Sequence, residues 1–390
     1  MYTILLCIIY LAFISLGLPD ALLGSAWPVM HQELSMPVSA AGIVTMIIAG
    51  GTIVSSLLSD RLTRKFGAGV VTAVSVGMTA AALFGFSLSD SFWMLCVWAI
   101  PYGLGAGAVD AALNNYVALH FASRHMNWLH CFWGVGASIS PYIMSFSLTK
   151  GYGWNHGYFL VGVLQAGLTV ILCISLPLWK KLAKREEKVE NKAEQTAPLR
   201  LSEALRIPGV ICVLLTFFAY CAVEQTSILW ASSYLVQYRG VEVSVAAQFA
   251  SLFLIGITFG RFLCGFIADK FGDRALIRYG MILVVAGFVL VALPLQTDVL
   301  ALAGLVLAGF GCAPVYPAII HSTPDNFGAD KSQAVIGIQM ASAYVGTTFM
   351  PPLFGLLAAK IGIFLLPFYL LAFAAVVLVM SERLNRMKQN

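Results

Sequence analysis

Charged residues are scarce in this sequence. Of its 390 residues, 11% are charged and 59% are hydrophobic, whereas a soluble globular chain carries about 25% charged residues. The mean hydropathy is +0.86. This composition excludes an ordinary soluble domain and predicts a chain that lies mostly within a lipid bilayer.

The signatures of several chemistries are missing as well. All eight cysteines lie in apolar runs and none forms a C-x-x-C pair, so we expect buried thiols and neither a disulfide framework nor a metal site. No nucleophile–base set and no phosphate-binding loop is recognisable. We therefore expect no enzyme activity, no cofactor and no nucleic-acid partner.

What the sequence does contain is long apolar runs. A helix needs about 20 mostly apolar residues to cross a bilayer. Because the runs are continuous and not alternating, they predict transmembrane helices and exclude a transmembrane β-barrel. The twelve predicted spans are 3–30, 38–59, 68–88, 92–119, 127–149, 155–178, 207–236, 243–268, 275–294, 297–321, 330–356 and 360–381.

The basic residues predict the orientation. Loops rich in Lys and Arg stay in the cytoplasm, and only Lys150, Arg239 and Lys360 fall in loops that this rule places outside. We therefore expect a multi-pass protein of the cell membrane (plasma or inner membrane) with both termini cytoplasmic. The polar segment 180–200 is interpreted as a solvated tether, and a membrane-surface or regulatory role is the alternative.

The two halves of the sequence repeat weakly. Asp60 and Asp269 are 209 residues apart, and Pro141 and Pro351 are 210 apart. Two pairs at nearly one offset indicate duplication of a six-helix unit, which predicts a central site between halves that rock against each other. The predicted domains are an N-terminal six-helix bundle over 1–178, a cytoplasmic linker over 179–206, a C-terminal bundle over 207–382 and a tail over 383–390.

A motif recurs after the second span of each half. The second half carries the pattern G-x-x-x-D-[RK]-x-G-x-[RK], whereas the first half has Ser56 and Thr63 at the glycine positions. With this motif the chain resembles the major facilitator superfamily. The resemblance implies an all-α membrane protein of twelve transmembrane helices in two six-helix bundles, and alternating access. It also implies gating roles for Asp60, Arg61, Arg64, Lys65, Asp269, Lys270 and Arg274, and we assign Arg261, two turns before Asp269, to the same network.

Only three of the 18 acidic residues lie well inside predicted spans: Asp20, Asp110 and Glu224. Charge within a span is costly and therefore indicates function. In the fold that the resemblance implies, the first, fourth, seventh and tenth helices line the cavity, and these acids fall on three of them. We predict proton coupling for all three. Repair of a helix terminus for Asp20 and a bond to a neighbouring helix for Asp110 remain alternatives.

Four residues of the fourth span share one helical face: Gly103, Gly107, Asp110 and Asn114. Such a face is expected from their spacing, and its glycines permit close contact with another helix. The polar pair should therefore face protein or water and not lipid. Asn114 is one turn from Asp110, so both can reach one ligand or each other.

Polar and aromatic side chains on several spans complete the predicted substrate site. Rings can cover the C–H faces of a hydroxylated ligand while amides and carboxylates bind its hydroxyls. A membrane-interface position for Trp230 and a headgroup-facing position for His130 are the alternatives. The candidates are Asn114, Asn115, His130, Trp133, Tyr220, Glu224, Gln225, Trp230, Tyr316 and Gln339.

A finer resemblance concerns the segments PDALL, DAALNN and LHCFWGVGASISP. Together with Glu224 and Trp230 they resemble the fucose permease branch, whose members are proton-coupled sugar symporters. The resemblance implies proton coupling by Asp20 and Asp110.

The charges inside the spans also bear on the substrate. Arg261 is the only basic residue within a predicted span core, and its assignment to the gate leaves no deep cation for an anionic substrate. We therefore predict a monomeric symporter of protons and a neutral sugar or polyol. The alternatives are a multidrug or organic cation:proton antiporter, against which Ser140 before Pro141 argues, and a lipid or glycolipid flippase.

Overall fold

The computed structural model describes residues 2–189, 199–294 and 298–388, and all regular structure in these ranges is helical. The predicted all-α class is confirmed for this part of the chain. The α-helices are α1 (Tyr2–Asp20), α2 (Leu22–Glu33), α3 (Ala41–Phe66), α4 (Ala68–Ser87), α5 (Phe92–His120), α6 (Ser123–Thr149), α7 (Gly153–Val189), α8 (Leu201–Ala204), α9 (Val210–Gln237), α10 (Val243–Phe271), α11 (Asp273–Ala292), α12 (Val299–Cys312), α13 (Val315–His321), α14 (Thr323–Phe327), α15 (Ala329–Lys360) and α16 (Leu366–Met387).

Ten helical segments of the described chain are long and apolar enough to cross a membrane. Two further helices, α6 with 27 residues and α15 with 32, take the fifth and eleventh places among the predicted spans. Both are less apolar because they bury polar side chains such as Asn127, His130 and Gln339. These twelve segments follow the order of the predicted spans.

Two of the predicted spans are each built from two helices. In the first, α1 ends at Asp20 and α2 begins at Leu22; in the tenth, α12 ends at Cys312 and α13 begins at Val315. Pro19 and Pro314 lie at these interruptions, and proline cannot donate the backbone hydrogen bond that would continue a helix. Interrupted backbone within a span is tolerated where it is buried in protein or lines a water-filled cavity.

The helices next to the predicted linker and tail are longer than expected. α7 continues to Val189, past the predicted start of the linker at 179, and α16 continues to Met387. The lysines and glutamates at the end of α7 are good helix formers. Residues 190–198 of the predicted linker and 389–390 of the predicted tail lie outside the described residues.

The chain divides into two compact units. The first comprises Met1–Tyr116 and Phe132–Arg200, and the second comprises Val117–Cys131 and Leu201–Asn390. This division differs from the predicted bundles in one segment, 117–131, which the prediction placed in the first bundle. The segment belongs with the second unit because Ser123 and Arg124 bond to carboxylates of α10 and α11.

Within the first unit, α3 and α5 approach each other through glycine. A Cβ atom on Gly103 would lie 2.2 Å from the carbonyl oxygen of Ile48, and one on Gly107 would lie 2.1 Å from that of Thr52. The close helix contact predicted for these glycines is confirmed. Ser56 also donates a hydrogen bond to the carbonyl oxygen of Gly107, at 3.2 Å, which gives the serine at this motif position a role of its own.

The two motif copies end their helices with the same backbone conformation. Gly272 ends α10 with φ 75° and ψ 158°, and Gly67 ends α3 with φ 82° and ψ 152°. Glycine adopts positive φ without steric cost. Thr63 stays helical, so the first copy turns one helical turn later than the motif pattern predicts.

Candidate functional site

Asp20 is the last residue of α1 and is held by two aromatic side chains of the first unit. Tyr102 Oη of α5 donates a hydrogen bond to Asp20 Oδ1 at 3.2 Å, and Trp133 Nε1 of α6 donates to Oδ2 at 2.9 Å. Asp20 is nevertheless exposed. None of the ion pairs found among the described residues includes it.

Glycines explain why Trp133 reaches Asp20. A Cβ atom on Gly17 of α1 would lie 2.1 Å from the carbonyl oxygen of Trp133, and one on Gly136 of α6 would lie 2.1 Å from that of Ile14. The backbones of α1 and α6 are therefore in direct contact. The helix break after Asp20 and this contact together present a carboxylate with two hydrogen-bond donors and an open side.

Asp110 and Asn114 bond to each other within α5. The Asn114 side-chain amide donates to Asp110 Oδ1 at 2.8 Å and to the Asp110 carbonyl oxygen at 2.9 Å. Both residues are buried, and so is Asn115. The spacing left open whether Asp110 and Asn114 reach one ligand or each other, and the structure shows that the two side chains contact each other. Their roles in proton coupling and substrate binding stay predictions.

Glu224 and Arg261 form a buried ion pair in the second unit. Arg261 Nη2 of α10 lies 3.3 Å from Glu224 Oε1 of α9, and the two side chains are 4% and 10% exposed. The side chain of Arg261, which the sequence assigned to the gating network, therefore extends to Glu224 on α9, and its gating role stays a prediction. The structure thus buries a cation inside the second unit, whereas the sequence argument against an anionic substrate assumed that no cation lies deep within the spans.

Aromatic rings surround this ion pair. The guanidinium carbon of Arg261 lies 5.7 Å from the centre of the Tyr316 ring, an arrangement that stabilises the cation. Tyr316 also contacts His130 and Phe217 edge to face, with ring centres 4.7 and 4.6 Å apart. The fully buried Tyr220 donates its hydroxyl to the carbonyl oxygen of Cys312 at 2.8 Å. The second unit thus brings five of the predicted site residues together: His130, Tyr220, Glu224, Arg261 and Tyr316.

Three further candidates lie on α9 and α15. Trp230 donates to the carbonyl oxygen of Pro351 at 2.9 Å and packs against Phe354. Gln339 is buried and accepts a hydrogen bond from Thr323 Oγ1 at 3.0 Å. Gln225 is half-buried. Trp230 thus joins α9 to α15, and the substrate roles of all three stay predictions.

The first motif copy contains an ion pair within one helix. Arg64 Nε lies 2.8 Å from Asp60 Oδ1 one turn away on α3, and Asp60 is buried. Arg61 and Lys65 are exposed. The predicted gating residues of this copy therefore lie at the end of α3, and Asp60 is the buried one among these four.

The second motif copy binds the start of α6. Asp269 Oδ1 accepts a hydrogen bond from the backbone N–H of Arg124 at 3.1 Å, and Arg124 Nε lies 3.4 Å from Asp269 Oδ2. The carboxylate faces the first turn of α6, where helix N–H groups lack partners. Lys270 and Arg274 are exposed.

Several residues of these clusters were not predicted. Asp273, Ser123 and His321 form a hydrogen-bonded cluster next to Asp269, and Tyr102 holds Asp20. Asp273 directly follows the motif glycine Gly272, which is the one local signal that could have drawn attention to it. The others carry no local signal, since their partners are distant in sequence. Among the described residues, no group of three His, Cys, Asp or Glu side chains could hold a metal ion.

Comparison with known proteins bears on this architecture. A family model described as Major Facilitator Superfamily matches residues 9–297 and 213–386. Bypass of stop codon protein 6 of Saccharomyces cerevisiae is 23% identical over 384 residues, which cover 91% of this chain and 77% of that protein.

Two solved structures show the same fold. FucP, the fucose:proton symporter of Escherichia coli, is similar in its outward conformation with a TM-score of 0.79 and 15% identity, over 98% of this chain and 99% of that one. The human organic anion transporter MFSD10 is similar with a TM-score of 0.75 and 14% identity, over 97% and 98%. The predicted two-bundle transporter fold is therefore confirmed.

Proposed function

Because this chain belongs to the Major Facilitator Superfamily, we propose that it is a symporter of protons and a neutral sugar or polyol that works by alternating access. It is a multi-pass membrane protein, and the FucP and MFSD10 structures that it resembles are structures of transporters. The proposal includes a cell-membrane location, cytoplasmic termini and two bundles of six helices that move against each other. Asp60, Asp269 and the basic residues beside them would stabilise one access state.

The observation that carries the proposal is the environment of Asp20. Its exposed carboxylate lies at a helix break, and no described cation pairs with it. The proton affinity of a carboxylate depends on its hydration and its hydrogen-bond donors. A change of access state that alters the hydration of Asp20 would therefore make proton binding and conformation depend on each other.

The substrate class is argued from charge and from the aromatic side chains. Arg261 is a deep cation, but Glu224 lies beside it and compensates its charge. The second unit therefore offers no free positive charge from this pair to an anion. Trp133, which donates to Asp20, has a half-buried ring that suits the C–H face of a sugar. The relationship to a fucose:proton symporter supports the same class.

Transport in liposomes tests the role of Asp20. We expect Asp20→Asn to lose solute accumulation driven by a proton gradient while retaining solute exchange under equal concentrations, because only the first process needs proton release. Asp90→Asn, which alters an exposed carboxylate in the loop between α4 and α5, is the matched control. Full proton-driven accumulation by Asp20→Asn would overturn the proposal.

A ligand screen tests the substrate class. Thermal unfolding of the purified protein would be measured with neutral sugars, polyols and cationic drugs at two pH values. Stabilisation by a sugar or polyol supports the proposal, since a ligand that binds the native state raises its stability. Stabilisation by cationic drugs alone would favour the organic cation:proton antiporter.

A further inference from the structure

We infer that His321 and Asp273 form a second proton-binding site, distinct from the deep acids, and that its proton holds the segment 117–131 against the rest of the second unit. The site lies at the junction of α6, α11 and α13. It depends on the hydrogen bonds of one imidazole ring and is independent of the proposed substrate.

Both ring nitrogens of His321 face oxygen acceptors. Nδ1 lies 2.6 Å from Asp273 Oδ2, and Nε2 lies 3.0 Å from the backbone carbonyl oxygen of Phe121. A carbonyl oxygen can only accept a hydrogen bond, and an ionised carboxylate can only accept as well. Ser123 Oγ occupies the other carboxylate oxygen, donating to Asp273 Oδ1 at 2.6 Å.

The number of protons follows from these contacts. A neutral imidazole carries one N–H, so one of its two nitrogens would present a lone pair to an acceptor. Protonated His321 removes this conflict, and so does protonated Asp273 beside neutral His321. In either form the closed cluster holds one proton more than a neutral histidine and an ionised carboxylate.

The cluster joins the segment 117–131 to α11 and α13. Phe121 and Ser123 belong to the segment, Asp273 begins α11 and His321 ends α13. His321 and Asp273 are each less than 20% exposed at the side chain. If the cluster opens, His321 enters water, where an ordinary histidine releases its proton near pH 6.5. A rise in pH should therefore weaken the docking of the segment.

The surrounding charges do not remove the need for this proton. Arg124 lies beside Asp269, which compensates it, and Asp325 adds a negative charge near His321. The charged or titratable groups nearest to the ring along the neighbouring elements include Asp273 and Arg274 of α11, Asp269 and Lys270 of α10, Arg124 and His125 of α6, His120 at the end of α5 and Asp325 of α14. Asp273 is the only one of these that an identified contact joins directly to the ring.

Hydrogen–deuterium exchange of the full chain in lipid nanodiscs tests the site. After correction for the pH dependence of chemical exchange, we expect the amides of 117–131 to exchange faster at pH 8.5 than at pH 6.5. One-proton linkage limits the decrease of the closing constant over this interval to about 50-fold. Amides of α9 and α15 should not change, and equal corrected rates in 117–131 at both pH values would overturn the inference.

The Asp273→Asn variant tests whether docking of the segment requires the additional proton or only the contact between residues 273 and 321. Its amide can donate to a neutral His321 Nδ1 while its oxygen still accepts from Ser123, so the cluster can close without the additional proton. We expect slow exchange of 117–131 at both pH values. Fast exchange at both pH values, with α9 and α15 unchanged, or a retained pH dependence would overturn the inference.

Two further variants complete the test. His321→Gln cannot take up a proton and should also abolish the pH dependence, so it decides the matter if Asp273→Asn fails to fold. His125→Gln, which alters a half-buried histidine of the same segment, should exchange like the unaltered protein. If His125→Gln also loses the pH dependence, the proton belongs to His125 and our assignment of it to His321 is wrong.

Discussion

The ion pair of Glu224 and Arg261 yields a prediction whose magnitude follows from the structure. Replacing either partner with methionine leaves an uncompensated charge in the interior of the second unit, because both side chains are at most 10% exposed. Breaking a buried pair in this way costs about 3–5 kcal/mol of unfolding free energy. Replacing both residues removes the charges together.

Three features place the cost at the lower end of this range. The Nη2–Oε1 distance is 3.3 Å, which is longer than the 2.7–2.9 Å of strong charged hydrogen bonds. The buried Arg261 Nε has no hydrogen-bond partner among the described atoms. The Tyr316 ring supports the guanidinium when Glu224 is gone. We therefore expect about 3 kcal/mol for Glu224→Met, and less for Arg261→Met because a carboxylate can be neutralised by protonation.

The assay is thermal unfolding of the purified variants in one detergent, followed by tryptophan fluorescence. Both single variants should unfold at lower temperature than the unaltered protein. The double variant should unfold at a higher temperature than either single variant, because apolar replacement of a whole buried pair is often neutral or stabilising. A double variant whose loss equals the sum of the two single losses would refute the reasoning.

Two further predictions use the same measurement. Gly107→Ala should lower the unfolding temperature, with a cost of about 1–3 kcal/mol, since its Cβ would lie 2.1 Å from the Thr52 carbonyl oxygen; Gly24→Ala, with no atom within 4 Å, is the control that should not lower it. If the two alanine variants unfold at the same temperature, the close contact of α3 and α5 does not contribute to stability as we expect. Arg278→Ala should lower the unfolding temperature far less than Glu224→Met does, because solvent screens exposed ion pairs and Arg278 is 50% exposed although it bonds both oxygens of Glu382. A loss as large as that of Glu224→Met would contradict this solvent screening.

The elements of the fold could be predicted because their signals are local. Every predicted span corresponds to one long helix or to two consecutive helices, since a run of about 20 apolar residues is stable in a bilayer only when its backbone bonds internally. The shared face of Gly103 and Gly107 follows from the same logic, because residues four apart share a helix face, whereas the structure shows that the helix in contact with this face is α3. The continuation of α7 beyond the predicted span could not be read from hydropathy, since a charged helix in water has no apolar signal.

The candidate site was predictable in part. Asp20 and Trp133 were singled out separately as a charge and an aromatic ring in apolar spans, and the structure shows that they bond to each other. Tyr102, which completes this group, has no feature in sequence that distinguishes it from other tyrosines. Its role depends on the rotation of α5 against α1, which periodicity along one helix does not report.

The sequence by itself determined which segments are helices, which glycines allow helices to approach closely, and that Asp110 and Glu224 are acids within long apolar helices. The tertiary structure decided the partners: Arg261 with Glu224 and not with the motif, and Asp273 with His321 and Ser123. The physical reason is the distance along the sequence over which each kind of interaction acts. Hydropathy and helical periodicity act over a few residues of one chain segment, whereas the contacts of a long polar side chain depend on the tilt and rotation of helices that lie far apart in sequence.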